Sequence, residues 1–167
     1  MSFVAGGDVW VMDTVLKEPR QVTHTPEFEH DPVFTADGGA ILYCGAFDIF
    51  RAERKDEKKY WWQQDAYSIR ALTEDTDVEN DLRVSPDGSR VAFIKGRGDL
   101  WTMAPDGKDA KCFLKSWNGP EFDWSPDGKW LVYAVSDNDF NRDIWIAPLD
   151  ASQPAYNVSR HPDNESD

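Results

Sequence analysis

Apolar and aromatic residues occur in runs of strand length, and each run is bounded by Pro, Asp, Gly or Ser. In "WSPDGKWLVY" (residues 124–133) a polar turn precedes an apolar run, and "FTADGGAILY" (34–43) and "VSPDGSRVAF" (84–93) repeat this plan. Pro presets its φ angle, Asp accepts hydrogen bonds within the turn, and Gly tolerates positive φ. Each stretch therefore predicts a hairpin, with the turn residues Asp37, Gly38, Asp87, Gly88, Asp127 and Gly128. The 3.6-residue periodicity of an amphipathic helix is nearly absent.

A second motif recurs in a fixed order with these turns. It consists of Asp, an apolar residue and an aromatic residue, and it begins at Asp8, Asp48, Asp99 and Asp143. We expect each aspartate to bind local backbone N–H groups at the start of a strand. The aromatic residues are expected to pack between neighbouring units; they are Trp10, Phe50, Trp101 and Trp145.

The spacing of these motifs predicts the fold. Successive turns and successive Asp motifs lie 40 to 51 residues apart, and each unit has room for four short strands. A repeat of about 40 residues that makes four antiparallel strands is typical of a β-propeller blade. The sequence therefore predicts an all-β fold, either a β-propeller or part of one, with three complete blades plus three strands of a fourth.

The whole chain is interpreted as a single propeller domain, residues 1–167. The first blade is expected to be incomplete, because "FVAGG" resembles a second strand and no innermost strand precedes it. The approximate blades are 1–25 (incomplete), 31–75, 81–116 and 121–160, with the start of a further repeat at 161–167.

Charge narrows the classes of partner. The chain has 18 Lys and Arg against 31 Asp and Glu, a net charge of −13. Such a field repels polyanions, so we expect neither nucleic acid nor an anionic membrane surface as a partner. No apolar run is long enough to span a bilayer, and the first residues do not resemble a signal peptide. The compartment stays open: cytoplasmic, or periplasmic if the chain is cut from a longer bacterial precursor.

Catalytic and metal-binding chemistry is not indicated by motif spacing. His24, His30 and His161 lack a serine in a nucleophile motif, so no catalytic residue and no cofactor is predicted. Cys44 and Cys112 are too few for a disulfide scaffold, and neither lies at zinc-ligand spacing from a histidine. Both cysteines are interpreted as small apolar residues on strands, with a single bridge as the alternative.

One segment resembles a calcium loop. Oxygen ligands recur at Asp137, Asp139 and Asn141, but an EF-hand needs Gly and Glu where this chain has Arg142 and Pro148. The favoured interpretation is therefore a solvated hairpin tip, and a metal site is the alternative.

Two further sets of residues are candidates for interaction. Residues 51–68 interrupt the repeat and place Tyr60, Trp61 and Trp62 side by side, where they either fold back on the blade edge or dock on another domain. Alignment on the turns places Arg83 and Asp123 near the central channel on adjacent blades. They are expected to pair with each other, and binding of a peptide end is the alternative.

The run "WSPDGKWLVY…DIWIAPL…YNVSRHPDNESD", together with "KKYWWQ" and "DNDFNRDIW", resembles the repeats of TolB and of the amino-terminal propellers of tricorn-type serine peptidases. The resemblance covers nearly the whole chain. It implies a non-catalytic propeller that filters or guides peptides toward a protease domain, and no protease part is present here. The alternatives are a TolB-like scaffold for protein–protein interaction, or an excised or engineered propeller fragment that assembles into a larger ring.

The expected blade count also predicts a partner. Four blades left as an open arc would expose the apolar faces of the first and last blades to water. Two copies placed head to tail would bury both faces in a ring of eight blades. We therefore expect self-association, most simply as a homodimer, with peptides or a protease domain as further possible partners.

Overall fold

The computed structural model describes residues 1–136 and 142–159. These residues form one three-stranded and three four-stranded antiparallel sheets. The first sheet contains β1 (Ser2–Ala5), β2 (Asp8–Met12) and β3 (Pro19–Gln21). The second contains β4 (Glu29–Phe34), β5 (Ala40–Gly45), β6 (Asp48–Arg54) and β7 (Tyr67–Ala71). The third contains β8 (Glu79–Val84), β9 (Val91–Lys95), β10 (Asp99–Met103) and β11 (Lys111–Leu114). The fourth contains β12 (Glu121–Trp124), β13 (Trp130–Ser136), β14 (Arg142–Pro148) and β15 (Tyr156–Asn157).

Each sheet is one blade, with its strands in chain order from the innermost to the outermost. The all-β prediction of three complete blades and three strands of a fourth is confirmed, and the four sheets form an open arrangement. A single-turn 3-10 helix, Trp61–Gln63, lies in the connection between β6 and β7. In the part of the chain that the structure describes, no helix has the length and apolar character needed to cross a bilayer.

The repeated turns share one hydrogen-bond pattern. In the last blade, Asp127 Oδ1 accepts from the Ser125 hydroxyl at 2.6 Å and from the Lys129 N–H at 3.1 Å. The Ser125 hydroxyl in turn accepts from the Trp130 N–H at 3.0 Å. Gly128 has a φ of 70°. Gly38 and Gly88 occupy the same place with φ of 66° and 73°, which explains why this position favours glycine.

Apolar residues between neighbouring blades form the core. One cluster joins Val9, Val11 and Val22 of the first blade to Ile41, Tyr43 and Ala52 of the second. A second and a third cluster join the second blade to the third and the third to the fourth. Phe50, Trp101 and Trp145 pack against these clusters from the side of the following blade. Trp10 is half-buried on the corresponding side of the first blade.

Three of the four repeated aspartates accept from backbone N–H groups across their blades and not from local backbone, contrary to the sequence-based expectation, and the fourth, Asp143, accepts from the Ser159 hydroxyl at 3.0 Å. Asp48 Oδ1 accepts from the Asp75 N–H at 3.2 Å, and Asp99 Oδ1 accepts from the Ser116 N–H at 3.0 Å. Asp8 accepts from the Thr25 N–H at 3.3 Å. In each case the donor lies just beyond the outermost strand, so the carboxylate fixes the end of the blade to the start of its third strand.

Burial is uneven among the blades. All six residues of β5 are buried, because its blade has a neighbour on each face. In β13 buried residues alternate with half-buried ones, so only one of its faces is covered by the described residues. Each end sheet therefore has one face that no other described sheet covers, whereas each middle sheet is covered on both faces.

Candidate functional site

Hydrogen bonds at or beside the inner strands join each blade to the next. The Ser2 hydroxyl donates to the Pro32 carbonyl at 3.2 Å, which connects the first blade to β4. The Asp81 N–H donates to Asp31 Oδ2 at 2.8 Å and connects β4 to β8. The Trp124 indole N–H donates to the Arg83 carbonyl at 3.0 Å and connects β8 to β12.

A bulge near the start of two inner strands sets which side chains reach the channel. The register shifts between His30 and Val33 in β4, and between Asn80 and Arg83 in β8. Asp31 and Asp81 lie in these bulges with φ of 53° and 56°, in the left-handed region. The two bulges therefore place Asp31 and Asp81 at corresponding positions of the second and third blades, which sequence reasoning did not single out.

Arg83 and Asp123 lie close together on adjacent inner strands. The Arg83 Nη1 is 3.8 Å from Asp123 Oδ1, and the two side chains are 46% and 67% exposed. The guanidinium also lies 5.3 Å from the centre of the Phe122 ring. Because both side chains are exposed, the ion pair contributes little to stability. For the same reason, both groups are accessible to a ligand in the channel.

Two buried glutamates in this region were missed by sequence reasoning. The Glu29 carboxylate accepts from the Val9 N–H at 3.1 Å and from the Thr25 hydroxyl at 2.8 Å, and it also contacts Thr23. The Glu79 carboxylate accepts from the Thr73 hydroxyl at 2.5 Å and lies 3.2 Å from Lys95 Nζ. Both connect an inner strand to the preceding blade. The signal was present, since a Glu stands eight residues before the turn aspartate in both blades.

The pKa of Glu79 reflects two opposing effects. Burial raises it above its usual range, and the hydrogen bonds from Thr73 and Lys95 oppose that rise. Lys95 also pairs with Asp75, so a single ammonium group lies beside two carboxylates where the second and third blades meet.

The aromatic insertion divides into a covered part and an exposed part. Trp61 is 8% exposed, packs with Val9 and Val22, and donates its indole N–H to the Gly38 carbonyl at 3.0 Å. Tyr60 is 61% exposed and stacks on Trp62 with ring centres 4.8 Å apart. Trp61 folds back on the first two blades, and Tyr60 remains at the surface.

The remaining sequence-based candidates are histidines, cysteines and the possible calcium ligands. His24 is exposed after the outermost strand of the first blade. Cys44 and Cys112 are both free thiols. The candidate calcium ligands Asp137, Asp139 and Asn141, together with His161 and the predicted repeat start 161–167, lie outside the described residues.

Comparisons with known proteins agree with this geometry. No protein-family model matches the chain. A tricorn protease homolog of Saccharolobus solfataricus is 32% identical over 71 residues, which are 41% of this chain and 7% of that protein. The crystal structure of the tricorn protease superposes with a TM-score of 0.72 and 10% identity, over 96% of this chain and 16% of that one. TolB from Acinetobacter baumannii gives a TM-score of 0.69 and 17% identity, over 92% of this chain and 37% of that one.

The chain is therefore a β-propeller-type domain, defined by its repeated four-stranded antiparallel blades. Its sequence is similar to that of a tricorn protease homolog, and its fold is similar to those of TolB and the tricorn protease. It spans a small part of the tricorn proteins and about a third of TolB, so their activities are not carried over by the likeness of the fold.

Proposed function

We propose that this propeller is a non-catalytic module that binds peptide segments along its inner strands. The observation that carries the proposal is the row of exposed or half-buried charged residues on the inner strands β4, β8 and β12: Asp31, Asp81, Arg83, Glu121 and Asp123. Buried apolar residues fix these strands from behind, so the charges are held on a rigid surface. The likeness to tricorn and TolB propellers supports the same role.

The charges favour one class of peptide. Four of the five charged residues in that row are acidic, and the chain as a whole carries −13. A peptide with Lys or Arg residues, or with a free amino terminus, would be drawn to this surface, and an acidic peptide would be repelled. Arg83 adds one position for a carboxylate, which would orient the bound segment.

The non-catalytic part of the proposal rests on the described histidines and cysteines. His24 is exposed on the outer side of its blade, and no hydrogen bond links it to a nucleophile in residues 1–136 and 142–159. His30 lies beside Asp31, but the nearby Cys44 thiol is 1% exposed and its pKa is raised by burial. A protonated, covered thiol is a poor nucleophile.

Fluorescence anisotropy with three labelled peptides of equal length, basic, neutral and acidic, tests the peptide-binding proposal. We expect the basic peptide to bind most tightly, its affinity to fall with added salt, and Asp81→Asn and Asp123→Asn to weaken it. Asp65→Asn is the matched control, because Asp65 is exposed on the outer insertion. Equal binding of all three peptides, or no binding, would contradict the proposal, and specific capture of a folded partner would favour the scaffold alternative.

We also propose that the domain associates with a second copy. The face of the last blade turned away from the third blade carries the half-buried or exposed residues Trp130, Val132, Ala134, Ile144 and Ile146, here called the back face. The first blade presents Phe3 and Trp10 on the opposite side of the arc, here called the front face. Among the described residues, each of the three apolar clusters between blades joins such a back face to a front face.

Continuity with these internal contacts supports a head-to-tail arrangement, in which two arcs of four blades close a ring of eight. The thermal midpoint of unfolding should then rise with protein concentration. Ile144→Asp, on the back face, should abolish that dependence, and Ile69→Asp on β7, exposed to a similar degree, should keep it. A midpoint that is independent of concentration in the wild type would refute self-association.

A further inference from the structure

Two strands of the second blade bring together three side chains that are distant or inconspicuous in the sequence. His30 on β4 and Cys44 on β5 are Cα partners, so their side chains leave the same face of the blade. The bulge at Asp31 turns its carboxylate toward the histidine, and His30 Nδ1 lies 3.1 Å from Asp31 Oδ2. One ligand atom from each residue lies within 4.8 Å of the other two.

We propose that His30, Asp31 and Cys44 form a binding site for a dication of the Zn²⁺ type, with a fourth coordination position open toward the channel. Imidazole, thiolate and carboxylate are the donors that zinc combines, and three protein ligands leave one position free. His30 and Asp31 have side-chain exposures of 35% and 37%, so the ion can reach the site from solvent.

The distances fit with a small adjustment. In a tetrahedral site with bonds of about 2.0–2.3 Å, ligand atoms lie roughly 3.3–3.8 Å apart. The histidine and aspartate atoms already approach this separation. The separations that involve Cys44 Sγ are at most 4.8 Å, and a shift of about 1 Å, available through side-chain rotation, would bring the sulfur into reach.

The charges around the thiol favour a cation. The carboxylates of Asp31, Glu79 and Asp81 lie close enough to the Cys44 thiol to act on it electrostatically. The same carboxylates create a negative potential that attracts a dication. Binding forms the metal–sulfur bond, and the thiol proton is released to water.

A nucleophilic role for this Cys–His–Asp group is less consistent with the structure. A catalytic thiol needs a lowered pKa and an accessible sulfur. Cys44 is 1% exposed in a negative environment, which opposes both requirements. A metal ligand needs only one open approach, and the partly exposed histidine and aspartate provide it.

Titration with Co²⁺ as a spectroscopic probe tests the site. We expect one equivalent to give the thiolate-to-cobalt charge-transfer band in the near ultraviolet, and Zn²⁺ to displace it. Cys44→Ala should abolish the band, whereas Cys112→Ala, which removes the other free thiol, should retain it. A wild-type protein without the band, or a band that Cys112→Ala removes and Cys44→Ala keeps, would overturn the proposal.

A second measurement keeps the test valid even if Cys44→Ala does not fold. His30 is partly exposed, so His30→Ala should fold, which circular dichroism can verify. Zn²⁺ should raise the thermal midpoint of the wild type and leave that of His30→Ala unchanged. An equal rise in both proteins would refute the site. These outcomes do not depend on peptide binding.

Discussion

The turn glycines of three blades allow a matched test of how the blades fit together. Gly38, Gly88 and Gly128 have nearly the same positive φ but different surroundings. A Cβ atom on Gly38 would meet nothing within 4 Å, whereas one on Gly88 would lie 2.8 Å from the Cβ of Ala36 on the neighbouring blade. A Cβ on Gly128 would lie 2.7 Å from the carboxylate of Asp87, which can rotate away if its hydrogen bonds to Ser85 and Ser89 are given up.

The expected costs follow from these distances. Gly38→Ala should destabilise by about 1 kcal/mol, because only the left-handed conformation is penalised. Gly88→Ala adds a clash with a side chain fixed to the backbone, and overpacking of this kind costs about 1–3 kcal/mol more. Gly128→Ala should lie between the two. Stability is measured by urea denaturation, monitored by tryptophan fluorescence. The denaturation midpoints are compared between variants that keep the same m-value, which is the slope of the unfolding free energy against urea concentration.

A double variant makes the test specific to the contact between blades. Ala36→Gly removes the atom that the new Cβ would strike, so adding it to Gly88→Ala should return the cost to that of Gly38→Ala. If Gly88→Ala costs no more than Gly38→Ala, or if Ala36→Gly gives no rescue, the packing of the second blade against the third is not as described.

The remaining predictions concern the insertion and the dependence on pH. Trp61→Ala should destabilise the protein by about 3–5 kcal/mol because it leaves a cavity at a buried position. Tyr60→Ala removes an exposed ring, and in the same denaturation assay it should change the stability by no more than about 0.5 kcal/mol. Equal effects of the two substitutions would contradict the buried position of Trp61. The Ser85 hydroxyl and then the Ser89 N–H lower the pKa of Asp87 below its usual 3.8. Because the folded value is the lower one, the stabilisation is present above pH 3.8 and is lost as the pH falls through the folded pKa. Asp87→Asn should therefore lose less stability than the wild type between about pH 5 and pH 2, and parallel losses would refute this.

The fold could be predicted because its information is local and repeated. The Asp–Gly turns and the Asp-x-aromatic motifs each mark a fixed place in a blade, and three or four copies confirm one another. The buried position of Trp61 was harder to predict. An aromatic residue in this loop has no counterpart in the other blades, and residues that cover Trp61 belong to the first blade. Only the structure assigns the buried position to Trp61 and the exposed one to Tyr60.

The site near the axis could not be predicted for a different reason. His30 and Cys44 are 14 residues apart, and only the antiparallel register makes them neighbours. The bulge that turns Asp31 toward them depends on a left-handed residue that is neither Gly nor Asn, so no turn signal marked it. Glu29 and Glu79 were not singled out from the sequence, because burial of a carboxylate depends on donors from the preceding blade.

The four blades form an open arc, and we propose that the end faces of two such arcs pack against each other in a dimer. Light scattering coupled to size-exclusion chromatography measures this directly, because the mass of one chain is 19.1 kDa. We predict a compact species of twice that mass, which Ile144→Asp converts to a monomer that binds a hydrophobic dye. A wild-type protein that stays monomeric at 19.1 kDa across the accessible concentrations, and binds no such dye, would contradict the account.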